Sequence, residues 1–415
     1  MAQKPGALTG SYPATKTTDQ TDDFFGTEFQ TLTDGLENDM AEDTKDWVQR
    51  QNKVTNAYLS KIPYRDAIKK RLTELWNYEK FSAPFKEGEY TYFYKNNGLQ
   101  NQSVLYRQKN GRQPEIFLDP NTFSPDGTTS LAGIDFTKDG SLAAYQISEG
   151  GSDWRKVIII NTQTKKIQDD TLADVKFSGL SWHNNEGFYY SSYDKPKEGS
   201  QLSGKTQLHK LYFHMLGTPQ SEDRLLFGGE TIPRRYIAGR VTENQQYLVI
   251  SAANATYGNE LYIQDLTKPN APIVSIVTGF ENEQDVADAE NGKLYISTNL
   301  NAPNRKLVVT NASTPTSDYW HDLIPEAKFP LNVSSSGGRF FAQYTKDAVS
   351  EIEEYTYDGK KIKTIALPGL GTASGFSGKK KKRKCTTLIP LMYILRPFLN
   401  TILIQANLLF IKSRE

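Results

Sequence analysis

From Gly133 to Ile160 the chain reads GIDFTKDGSLAAYQISEGGSDWRKVIII, with short apolar runs separated by turn residues. A Lys138-Asp139-Gly140 turn leads into Leu142 to Ser148, Gly150-Gly151 breaks the run, and the β-branched stretch Val157 to Ile160 follows. Such turns tolerate tight backbone geometry, and the runs between them suit a pleated, half-buried surface, so the pattern predicts paired strands. It recurs down the chain. Asn185-Glu186-Gly187 precedes Phe188 to Tyr190 and His209 to His214; Asn244 to Gln246 precedes Tyr247 to Ile250 and Glu260 to Asp265. Asn291-Gly292 precedes Leu294 to Ser297 and Lys306 to Thr310; Gly337-Gly338 precedes Phe340 to Tyr344 and Glu353 to Tyr357.

The turns at Gly140, Gly187, Gln246, Gly292 and Gly338 are 47, 59, 46 and 46 residues apart. Four-stranded propeller blades repeat at roughly 40–50 residues, so the spacing predicts an all-β propeller. The long second interval holds a polar insertion, Asp194 to Gln207, which reads as a surface loop. One or two β-sandwiches are the alternative architecture, and the long recurring period favours the propeller.

Ahead of the strands, Trp47, Val54 and Tyr58 fall on a helical spacing after a capping candidate at Asp43. A second helix is predicted after Pro63, with Tyr64, Ile68, Leu72 and Leu75 on one face. Strands begin near Glu89. Met1 to Asp23 is polar, reads as an extended arm, and lacks the apolar core of a secretory signal; the compartment is left open between cytoplasm and periplasm.

The balance of 49 basic against 48 acidic side chains, net +1, gives no whole-molecule steering towards nucleic acid. A single cysteine excludes an internal disulfide framework. Aromatic residues at 12%, including 23 tyrosines, suit sheet faces. No motif calls for a cofactor or metal.

Several longer runs carry a resemblance: WNYEKFSAPFKEGEYTYFYKNNGLQNQSVLYRQ (Trp76 to Gln108), LDPNTFSPDGTTSL (Leu118 to Leu131), SEGGSDW (Ser148 to Trp154), VKFSGLSW (Val175 to Trp182), SSYDKPKEGS (Ser191 to Ser200) and PRRYI (Pro233 to Ile237). From about Tyr12 to Ser377 the chain resembles the bacterial prolyl oligopeptidases, a serine peptidase family. The resemblance implies a seven-bladed β-propeller, here with its last blade incomplete, preceded by a short α-helical N-terminal segment and set over an α/β-hydrolase domain that is largely missing. It also implies a propeller that gates access for short proline-containing peptides, cut on the carboxyl side of proline. The expected organisation is an arm and helices over 1–80 that would pack on the hydrolase domain in cis, a propeller over 81–378, and a distinct tail over 379–415.

A nucleophile elbow needs a serine flanked by glycine two residues to either side, and no serine here has that context; Ser377 follows Gly375 but meets Lys379. The four histidines, His183, His209, His214 and His321, have no nucleophile to serve and read as structural. No catalytic residue is therefore assigned, and this chain by itself should not hydrolyse peptides. The resemblance carries over one substrate-binding residue, Phe177 of the VKFS run, expected to project from the propeller toward the bound peptide; ordinary blade core is the other reading.

After Gly378 the resemblance stops. Six basic residues (Lys379 to Lys384) and an apolar stretch from Cys385 to Ile411 suggest a membrane anchor, but Pro390, Arg396 and Pro397 argue against a spanning helix. Read one nucleotide earlier, the permitted codons of Lys384 through Asn407 can spell MYYSYTLNVYPPTIFKYNIDSGKS, a Tyr-rich strand with a PPTIFKYN run similar to the family. The same operation on Glu28 to Gly35 can spell VSDPYRW, again family-like. A frameshifted or mis-sequenced gene, slipping in an A-rich tract, is the expected cause, with poor solubility as the consequence. The alternative is a non-catalytic binding propeller tethered by its tail.

Overall fold

The computed structural model describes residues 12–30, 34–36, 38, 40–195, 204, 206–367, 370–376 and 378–380, and the backbone of 384–390 and 406–412. Two compact units make up the chain: Met1–Lys80 with Asn96–Gln100 and Asp194–Thr206, and Phe81–Lys95 with Asn101–Tyr193 and Gln207–Glu415.

In the first unit, helix α1 (Glu42–Leu59) and helix α2 (Arg65–Trp76) lie where the apolar spacing predicts them. The cap differs from expectation. Ala41 is the N-cap, without a side-chain bond, and Asp43 lies inside the first turn, where its charge complements the helix dipole. The arm is partly tied down: Trp47 Nε1 donates to Thr15 Oγ1 at 3.0 Å, and Arg50 and Gln51 donate to the carbonyls of Ala14 and Pro13. A hairpin of Thr21–Phe24 and Thr27–Gln30, unforeseen from sequence, turns at Phe25 and Gly26. Neither helix has a buried residue, and the apolar face of α2 (Ile68, Leu72, Leu75, Trp76) is exposed. The insertion after Asp194 lies mostly outside the described residues.

The second unit is a succession of antiparallel meander sheets. Blade one combines Lys80–Phe81, Phe85–Glu87, Tyr90–Asn96, Val104–Lys109 and Glu115–Leu118. Blade two is Thr129–Phe136, Leu142–Glu149, Trp154–Asn161 and Ile167–Lys176; blade three is Leu180–His183, Gly187–Ser192, Lys210–Met215 and Arg224–Gly228. Blade four is Tyr236–Val241, Tyr247–Ala253, Glu260–Asp265 and Ile273–Val277; blade five is Gln284–Glu290, Lys293–Thr298, Lys306–Asn311 and His321–Ile324. Blade six is Leu331–Ser336, Arg339–Lys346, Val349–Tyr355 and Lys361–Ile365.

Six blades are present among the described residues, so the expectation of seven, the last incomplete, is corrected. The recurring turns account for blades two to six and the strands near Glu89 for blade one. From Leu370 to Lys380 the chain is rich in Gly, Ser and Lys, and its described residues add no strand to blade six. Instead, Gly378 N–H donates to the Ser335 carbonyl at 3.0 Å, and Lys380 pairs with Asp288 at 3.0 Å and with Glu290, while Lys379 pairs with Glu87. Lys384–Pro390 and Ala406–Lys412 form a separate antiparallel hairpin. No helix among the described residues is long and apolar enough to cross a membrane.

Each sheet alone would bury one face; stacking buries the other. Tyr92, Leu105 and Phe117 of blade one meet Ala143, Tyr145 and Ile160 of blade two. Val157, Leu172 and Val175 of blade two meet Trp182 and Phe188 of blade three, and the alternation continues to blade six, whose Phe341, Ile352 and Ile365 are covered by Ala373 and Phe376. Polar clamps add specificity. The Arg107 guanidinium is buried against Glu115 at 2.7 Å, lies over the Tyr90 ring at 4.3 Å, and donates to the carbonyls of Thr162 and Gln163 on blade two.

Candidate functional site

In an antiparallel meander, the loops between second and third strands and the crossovers between blades open on the same face. On that face Phe177 stands in the crossover from blade two to blade three. It is 42% exposed, and its φ of 54° is in the left-handed region that a bulky side chain adopts only when its surroundings impose it.

The surroundings are specific. Lys176 N–H donates to Ser192 Oγ at 3.1 Å, and Ser192 Oγ donates to the Asp174 carbonyl at 2.6 Å. Ser191 N–H donates to Ser178 Oγ at 2.7 Å. The turn is thus pinned on both sides of Phe177, and its ring meets Tyr193 and Tyr236 edge to face at 6.2 and 6.1 Å. The Lys176 ammonium lies between rings, 5.0 Å from the Trp154 centroid and 5.1 Å from that of Phe177. Nearby, Arg235 donates to Glu260 at 3.1 Å and stacks on Phe280 at 4.4 Å.

His209 is the buried support of this patch. Its Nε2–H donates to the Lys176 carbonyl at 3.1 Å, Nδ1 accepts the Ile237 N–H at 2.8 Å, and its ring stacks on Tyr193 at 4.5 Å. Burial pulls its pKa down to about 4, with the bond to Lys176 opposing. His214, by contrast, sits between Asp223 at 2.7 Å and Asp170 at 3.1 Å; burial alone would lower its pKa, but the two carboxylates outweigh it and raise it. Both imidazoles are thus engaged by partners within blades two to four.

The two histidines oppose each other in pH. His209, depressed in the fold, contributes stability that is complete above about pH 6.5 and lost as pH falls toward 4, roughly 3 kcal/mol in all. His214, raised in the fold, contributes stability present below about pH 6.5 and lost as pH rises through its folded value. Below pH 6.5 the His214 contribution is therefore constant, and the urea midpoint should drop between pH 6.5 and 4 more steeply in the natural chain than in His209→Gln. Parallel slopes would remove His209 as the cause.

Sequence reasoning singled out Phe177 but not the residues now found around it. Trp154, Lys176, Tyr193 and Tyr236 belong to four separate runs, SEGGSDW, VKFSGLSW, SSYDKPKEGS and PRRYI. Each ends at a blade edge on one face, which is the signal that could have joined them.

Fold and patch define the class: a propeller of four-stranded blades carrying an aromatic, cation-bearing patch at the edge of blades two to four. Residues 12–388 match the family model for the prolyl oligopeptidase N-terminal beta-propeller domain, and the chain belongs to that family. It is 55% identical over 372 residues to a prolyl endopeptidase of Elizabethkingia meningoseptica, covering 90% of this chain and 53% of the relative. It is 56% identical over 383 residues to that of Elizabethkingia miricola, covering 92% and 54%. The chain thus spans about half the length of the curated relatives it matches. A solved structure from an analysis of inter-domain dynamics in two prolyl endopeptidases aligns with TM-score 0.69 at 31% identity, over 92% of this chain and 55% of that one. Prolyl oligopeptidase B of Galerina marginata, bound to a 25-residue macrocyclization substrate, shares the fold with TM-score 0.78 at 24% identity, over 92% and 57%.

Proposed function

We propose that this chain is the N-terminal, substrate-gating propeller part of a prolyl oligopeptidase-like serine endopeptidase that cleaves short peptides after proline, and that it is inactive by itself. The observation that carries the reading is the family match over 12–388 in a chain whose serines all lack the Gly-x-Ser-x-Gly setting. The exposed apolar stripe on α2 supports a packing role for residues 1–80 against a hydrolase domain in cis. The tail over 379–415 and the segment 29–35 are read as frameshift products; the family match ends at residue 388, inside that tail.

Phe177 is the residue proposed to meet the peptide. A strained, half-exposed aromatic held by two tyrosines offers an apolar face at low entropic cost, because its own position is already fixed. Phe177→Ala is expected to weaken binding of an N-acetylated Gly-Pro peptide about tenfold, the loss of roughly 1.4 kcal/mol. Titration calorimetry on the full chain checks this. Unchanged affinity in a variant with unchanged urea midpoint would return Phe177 to a packing role.

A further inference from the structure

Of the two lysine and arginine side chains that are buried among the described residues, one is fully partnered and the other is not. Arg107 has a carboxylate and two backbone carbonyls. Lys176, 8% exposed, has only the Trp154 and Phe177 rings. No carboxylate among the described residues, Asp153 and Asp174 included, lies within ion-pairing distance of its ammonium, and no hydrogen-bond acceptor meets it. One residue beyond Trp154, at the same end of blade two, the buried Arg155 Nε also lacks an acceptor.

Cation–π contact offsets part of the cost of burying an ammonium but leaves its three N–H donors unmatched. A carboxylate matches them best, since a charge-assisted bond is short and about twice as strong as a neutral one, and stronger still where rings exclude water. The ammonium is held in place by rigid groups: Lys176 pairs across the sheet with Trp154, and its backbone is fixed by Ser192 and His209. Its neighbours are apolar surface, the Phe177, Tyr193 and Tyr236 cluster. Cation and aromatic surface together suit a ligand with a carboxylate next to an apolar side chain.

We propose that Lys176 anchors a carboxylate-binding site, and that it selects peptides bearing an acidic group where they lie across Phe177. The site makes the propeller a reader of charge as well as a filter of size. It rests on the reading of this patch as peptide-facing.

The test titrates the full chain, by tryptophan fluorescence, with three N-acetylated peptides: Ala-Gly-Pro-Phe ending in a free carboxylate, the same ending in carboxamide, and Glu-Gly-Pro-Phe carboxamide. At least one acidic peptide is expected to bind about tenfold tighter than the neutral amide; which one identifies a terminal or a side-chain carboxylate as the source. Lys176→Met, which keeps the stem and removes the charge, should abolish the difference, and Lys176→Arg should retain it. Equal binding of all three peptides overturns the carboxylate site while peptide binding stands. Binding of none overturns both readings. A charge preference that survives in a folded Lys176→Met chain assigns it elsewhere and overturns the role of Lys176. The comparison of peptides on the unmutated chain decides the matter even where the variant fails to fold.

Discussion

Restoring the reading frame ahead of Lys384, so that translation continues into a Gly-x-Ser-x-Gly hydrolase, is expected to raise hydrolysis of a Gly-Pro p-nitroanilide peptide by about a millionfold over this chain. That is the scale on which loss of an acyl-transfer triad lowers turnover. The propeller holds no serine in an elbow, and its two best-placed histidines, His209 and His214, are committed to backbone and carboxylate partners. With both imidazoles so engaged, adding a triad is expected to supply close to the whole catalytic gain. Sequencing the gene across the codons for Gly375 to Glu415 and past the stop is the first step. A frame that stands, with no hydrolase beyond it, or peptide hydrolysis by the chain as it is, would sink the proposal.

The second large effect is on the fold. Trp182→Ala is expected to cost about 3–5 kcal/mol, read as a fall in the urea midpoint. Trp182 is 3% exposed on the first strand of blade three, packs edge to face on Phe188 at 5.0 Å, and donates Nε1–H to the Asp135 carbonyl of blade two at 3.2 Å. It therefore fills the wedge between two blades and ties them with one bond. Truncation leaves a void in a buried cluster shared with Ala144, Val157, Leu172 and Val175 of blade two, and a cavity in a packed core is only partly refilled by relaxation. Trp182→Phe, which restores most of the volume and not the bond, should recover the larger part of the loss. A cost below about 1 kcal/mol for the alanine would mean that the blades are not held together by this contact.

Strand placement was legible because it is local. Asn291-Gly292 and Gly337-Gly338 mark turns by backbone freedom alone, and the runs after them could only pleat. Helices α1 and α2 followed equally from spacing. The cap did not, since Ala41 precedes the acidic turn without any side-chain signal. Blade number did not follow either: the resemblance implies seven, whereas the five recurring turns and the strands near Glu89 account for the six that the described residues form.

The patch around Phe177 shows the division most clearly. Strands, their turns, the repeat of the blades and the family are all written in neighbouring residues and can be read without coordinates. The sequence also singled out Phe177. The folded chain alone shows that Trp154, Tyr193 and Tyr236, from runs scattered over some eighty residues, surround it, and that among the described residues Lys176 beside it has rings and no carboxylate. It likewise shows that His209 and His214, five residues apart, carry opposite shifts in pKa. Charge, burial and partnership are sums over everything near in space, and in a propeller what is near in space is mostly the next blade, about one repeat away along the chain.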